Sequence, residues 1–154
     1  MEIKKILVPY NFTDLDRKAL DFVIRTFSNA EEAEVTVFNI YTPVPSITMK
    51  DSPEMKKMQA SLSYLHQLIS EQEENLKQAK QILISGGFAA DHVNLVFKAK
   101  KKDVSTHIVE MAKEERFDLI VINRKPGKVS RFFTKSVFGR VVASLNDTIV
   151  CIVS

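Results

Sequence analysis

The stretch Asn123–Arg140, NRKPGKVSRFFTKSVFGR, gathers residue types that handle phosphate. Gly127 lets a backbone approach a ligand closely, Ser136 offers a hydroxyl, and Arg124, Lys125, Lys128, Arg131 and Lys135 offer positive charge. The stretch follows an apolar run, Asp118–Ile122 (DLIVI), and leads into a helical pattern. That strand-to-helix junction is where many α/β proteins hold an anion. Gly127 is its one loop glycine, however, and no common phosphate-loop pattern is matched.

Other residues able to do chemistry are dispersed. His66, His92 and His107 make no ligand-spaced pair with cysteine or with one another, so no metal site is expected. Cys151 lies in an apolar run and reads as a packing residue rather than a nucleophile. Neither a Ser-His-acid arrangement nor a carboxylate pair with a shared pocket can be read. The run Lys98–Lys102 (KAKKK) has no aromatic residues interleaved, as stacking on bases would need, and reads as a solvated loop. Phe132 and Phe133 read as core or subunit-contact residues.

The elements that must position the basic loop follow from periodicity. Strand-like runs recur at Ile3–Val8, Glu34–Ile40, Val93–Phe97, Leu119–Ile122 and Thr148–Val153, most of them short and β-branched, as in strands covered on both faces. Between them lie helical patterns. Thr13–Ser28 opens on an N-cap with an acid three residues on, and puts Leu15, Ala19, Phe22, Val23 and Phe27 on one face. Asp103 caps a helix that buries Val104, Ile108, Met111 and Ala112. Phe133–Leu145 carries a stripe of Val137, Val141 and Leu145. Ser52-Pro53 starts the longest pattern, which meets no Gly or Pro until Gly86-Gly87. Either it breaks near Tyr64–Ser70, or its first half packs on a partner subunit.

This β-α order predicts an α/β fold: a doubly wound, five-stranded parallel sheet, Rossmann-like, with helices on both faces. Ligands then bind beyond the carboxyl ends of the strands, at the loops Pro9–Thr13, Tyr41–Asp51 and Asn123–Ser136. The totals agree with one domain over residues 1–154. The chain is 45% hydrophobic and 27% charged, with a net charge of +3 and one cysteine. That charge is too mild to argue for nucleic acid, and the single thiol fits a cytoplasmic location. No apolar run approaches the roughly 18 residues of a membrane helix, and no signal-peptide pattern is expected at the start.

Two features together resemble the universal stress protein family, whose fold is of the adenine nucleotide alpha hydrolase-like type. The start, KKILVPYNFTDLDRKAL, resembles the family's strand, Val-Pro and acid-then-hydroxyl loop. The end resembles its last half: DLIVI, the basic loop, Lys135-Ser136-Val137, a helix and TIVCIVS. The resemblance covers essentially the whole chain. It implies a nucleotide site walled by Pro9, Asn11, Thr13, Ile40, Asn123, Gly127, Lys135, Ser136 and Val137. In ATP-binding members this loop reads Gly-x-x-Gly, then about nine residues, then Gly-Ser or Gly-Thr. Here Asn123 stands at the first glycine and Lys135 at the glycine before Ser136, Pro126-Gly127 lies near the second glycine, and Ser136 and Val137 match. Asn11 stands where the family has an aspartate, and Asn39-Ile40 where a backbone contact to adenine falls. Pro126 removes an amide donor.

The expected function is therefore a non-enzymatic stress-response regulatory domain with a degenerate nucleotide loop and no certain cofactor. It would be a homodimer through the C-terminal strand, with an unidentified regulatory protein as a further partner. One alternative is an ATP-binding switch, with Mg and weak or no hydrolysis. A second is an anion- or RNA-binding module using Arg124, Lys125, Lys128 and Lys98–Lys102, although nucleic acid is the less expected ligand.

Overall fold

The structure, a computed structural model, describes residues 2–46, 52–123 and 137–154. Its elements run β1 (Lys5–Pro9), α1 (Asp14–Phe27), β2 (Glu34–Tyr41), α2 (Pro53–Ser85), a single 3-10 turn (Ala90–His92), β3 (Val93–Ala99), α3 (Val104–Glu114), β4 (Leu119–Asn123), α4 (Val137–Ser144) and β5 (Ile149–Val153). The five strands form one parallel sheet in the order β3-β2-β1-β4-β5. The chain runs outward from β1 to β3, crosses back to β4 on the other side of β1, and ends on β5. This is the doubly wound sheet that alternating strands and helices require.

Strand alternation sorts the apolar residues into two cores. Ile6, Val8, Val35, Val37, Leu119 and Val121 face α1 and the C-terminal half of α2. Their neighbours in sequence, including Leu7, Phe38, Ile120 and Ile122, face α3 and Val141 of α4. β1 lies between two strands and is covered on both faces, so Ile6, Leu7 and Val8 are fully buried. β5 departs from that expectation. It is one of the two sheet edges, and Ile149 and Ile152 are exposed rather than covered.

The long helical pattern is one helix of 33 residues, with no break at Tyr64–Ser70. Ser52 caps it, its side chain accepting the Met55 amide at 3.2 Å, and Pro53 opens the first turn. At the other end the Phe88 amide reaches Leu83 O and the Gly87 amide reaches Ile84 O, each at 3.1 Å, a Schellman closure with Gly87 at φ +119°. α3 starts at the expected Asp103 cap, but Val104 and Met111 are half-buried while Ile108 and Ala112 are fully buried. Val104 is less covered because it lines a cavity.

Candidate functional site

The carboxyl ends of β1, β2 and β4 meet where the strand order reverses, the position at which open α/β sheets bind ligands. Thr13, in extended conformation, caps α1 through a reciprocal pair of contacts with Asp16. Its hydroxyl accepts the Asp16 amide at 3.2 Å, while the Asp16 carboxylate accepts from the Thr13 amide at 3.2 Å and the Thr13 hydroxyl at 2.9 Å. The same carboxylate oxygen accepts from the Asn11 amide at 2.8 Å. Phe12, between these two residues, takes φ 62°, and that left-handed turn brings both flanking amides onto one oxygen. The other carboxylate oxygen accepts from the Asn123 side-chain amide at the end of β4. Asp16, only 1% exposed, thus ties the first loop, the start of α1 and the end of β4 together.

A second tie joins that loop to β2. The Tyr10 amide donates to Phe38 O, and the Asn39 side-chain amide donates to Tyr10 O, both at 2.8 Å. The other side-chain atom of Asn39, Oδ1, is buried and has no partner among the described residues. An acceptor left this way costs on the order of 1–3 kcal/mol. Tyr10 packs edge-on against Phe12 with ring centres 5.2 Å apart. Partial burial, and secondarily the Asp16 carboxylate, push the Tyr10 hydroxyl above its ordinary value.

These ties enclose one side of a cavity of about 280 Å³. Its walls are mainly apolar: Pro9, Phe38, Ile40, Val104, Ile108 and Ile122. Tyr10, Asn11, Asp16, Asn39 and Asn123 add polar groups. The combination of an apolar chamber and a few fixed polar groups suits a flat, partly polar ligand. With four donors already on its carboxylate, Asp16 acts as an organiser of the loop. Its charge also disfavours an anionic group placed directly beside it.

Of the residues expected to wall a nucleotide, Pro9, Asn11, Ile40 and Asn123 line this cavity. Thr13 stands one step behind, holding Asp16. Val137 is the first residue of α4. Gly127, Lys135 and Ser136 lie outside the described residues, as do Arg124, Lys125, Lys128, Arg131, Phe132 and Phe133. Sequence reasoning missed Asp16, Phe38, Val104, Ile108 and Ile122 as site residues. Asp16 was visible as a helix-capping acid, while the apolar four follow the same pattern as core.

Beside the cavity, the loop after β3 is fastened by two other contacts. His107 is 5% exposed and its Nε2 accepts the amides of Lys101 and Lys102, each at 3.1 Å. Asp103 accepts the Thr106 amide at 2.9 Å and is paired with Arg140 of α4. Burial raises the pKa of the Cys151 thiol, which makes it a poorer nucleophile. Among the described residues, no group of three or more His, Cys, Asp or Glu could hold a metal, and no helix is long and apolar enough to cross a membrane.

The family model described as the Universal stress protein family matches residues 2–152. No protein of curated function matches the chain. Among solved structures, universal stress protein UspA from Lactobacillus plantarum aligns with a TM-score of 0.70 and 18% identity, over 100% of this chain and 99% of that one. A universal stress protein from Archaeoglobus fulgidus in complex with dAMP aligns at 0.64 and 21%, over 100% of each chain. A universal stress protein in complex with cAMP aligns at 0.67 and 17%, over 100% and 98%. At these identities the likeness shows a shared fold.

Proposed function

The chain belongs to the universal stress protein family, and from that premise we propose that it is a non-catalytic regulatory domain that senses an adenine nucleotide. The base and sugar would sit in the cavity above β1 and β4. The observation that carries this reading is the cavity itself: apolar on most sides, placed at the strand switch, and edged by Asn11, Asn123 and a saturated Asp16. Two relatives of the same fold were solved with adenine nucleotides, cAMP and dAMP. Both carry a single phosphate. Here Asn123 spends its side chain on Asp16, and the family's glycines are replaced at 123 and 135. A monophosphate is therefore favoured over ATP held by a glycine-rich cradle. Asp16 serves to shape the loop, and no proton transfer is assigned to it.

Calorimetric titration with AMP, cAMP and Mg-ATP tests the reading. Micromolar binding of a monophosphate, weaker binding of ATP and no phosphate release on prolonged incubation are expected. Filling the chamber with Val104→Trp should weaken the monophosphate at least roughly tenfold. No heat with any of the three nucleotides would overturn the proposal. ATP binding tighter than AMP would instead favour the phosphate-driven switch.

We further propose that the protein pairs through β5. That strand is a sheet edge, is five residues long and presents Ile149 and Ile152 to solvent. Replacing Ile152 with Lys should lower the sedimentation mass by half. An unchanged mass would count against pairing there.

A further inference from the structure

The polar groups around the cavity present a one-sided set of donors and acceptors. The backbone amides of Asn11 and Thr13 and the side-chain amide of Asn123 donate to Asp16, and the side-chain amide of Asn39 donates to Tyr10 O. A carboxylate and a backbone carbonyl only accept, so these contacts fix which corner of each side-chain amide is nitrogen. Asn123 therefore uses its donor inside the protein and keeps its Oδ1, to which no described residue donates. Asn123 is half-buried and lines the cavity, so this oxygen is within a ligand's reach, whereas Oδ1 of Asn39 is sealed off.

Burial then orders the cavity. Phe38, Ile108 and Ile122 are buried and form its apolar floor, while Asn123 is half-buried and Asn11 exposed at its rim. A ligand with a flat ring and a polar appendage gains most by laying the ring on the floor and the appendage at the rim. An acceptor there attracts an O–H or N–H of the appendage and repels a bare phosphate oxygen. Resting on the reading of the cavity as a nucleotide site, we propose that Asn123 is its specificity-determining residue. Held by Asp16, its Oδ1 accepts a sugar hydroxyl and so selects ribose over sugars that lack one. The hydroxyl is the 2′ or the 3′, the two that a 5′-nucleotide leaves free. The amide cannot turn to offer its nitrogen instead without taking one of the four donors from the buried Asp16 carboxylate.

The test is calorimetric titration of the full chain with AMP, 2′-deoxy-AMP, 3′-deoxy-AMP and 2′,3′-dideoxy-AMP. The dideoxy compound should bind at least roughly tenfold more weakly than AMP, and one of the two single deoxy compounds should match it. Asn123→Leu, a change of similar volume, removes the oxygen. In that variant AMP and dideoxy-AMP should bind within about twofold of each other. Circular dichroism checks its fold, and Asn123→Ala takes its place should leucine not be accommodated. Equal binding of AMP and dideoxy-AMP by the wild type would overturn the proposal. A variant that keeps the full discrimination would do the same, by moving the hydroxyl contact to another residue. Both results leave nucleotide binding standing, whereas no heat with any of the four compounds would remove the site and this role together.

Discussion

Asp16 collects hydrogen bonds from Asn11, Thr13 and Asn123, so removing its carboxylate orphans part-buried donors in the first loop and at the end of β4 at once. Asp16→Ala should cost about 3 kcal/mol in urea unfolding. Thr13→Ala, which removes one cap, should cost about 1 kcal/mol. Equal costs for the two would mean that Asp16 is only a helix cap. The cap was legible in the sequence because its partners are three residues apart, a spacing fixed by helix geometry. The reach to Asn123 was not, since that residue is 107 positions away and only the sheet order brings it near. Pro9, Asn11, Ile40 and Asn123 were identified as wall residues by resemblance. Phe38, Ile108 and Ile122 were not, because lining a cavity and filling a core call for the same apolar side chains.

The closure of α2 depends on two glycines with different duties. Gly87 takes a φ of +119°, which side chains resist. Gly86 has an ordinary helical φ but lies against α1: a methyl group there would meet three carbons of Ile24 at 2.7 Å each. Gly86→Ala should therefore destabilise by about 1–3 kcal/mol through overpacking, and Gly86→Ala/Ile24→Val should recover part of that loss. If both variants melt with the wild type, α1 and α2 have room to separate. The pattern of this helix could be read from its three- and four-residue steps. Its continuity could not, because a break and an overhang leave the same sequence until something shows what the first half touches. The fates of Val104 and Met111 were likewise hidden. The helical stripe marks which face turns inward, but not that Val104 on this face borders a cavity.

For the molecule as a whole, the exposed charges set the pH range of stability. The carboxyls of Glu32 and Glu110 are held below their ordinary values by Lys4 and Lys102, and that of Asp103 by hydrogen bonds from Thr106. Their contribution is present above the ordinary carboxylate range and is lost as pH falls through the lowered values. Lys4, Lys77 and Lys102 are raised by Glu32, Glu74 and Glu110. Theirs is complete below the ordinary lysine value and is lost as pH rises through the raised ones. The Tm should thus be nearly flat from about pH 5 to about pH 8, above which the raised Cys151 thiol, Tyr10 hydroxyl and lysines lose their contributions in turn. The acid fall should be small and should shrink in high salt, as the groups are solvent-exposed. A steady slope across neutral pH would mean that other groups govern stability. The sheet order carries a consequence for synthesis. β1 is made early, yet its backbone beside Lys5 waits for Asp118, 113 residues later. At ribosomal speeds of about 5–20 residues per second that interval lasts roughly 6–23 seconds. Throughout it, the central strand of the sheet has one edge without its final neighbour. The nascent chain is thus most open to mispairing at the strand that later becomes its centre, which is where a ribosome-bound chaperone would have most to shield.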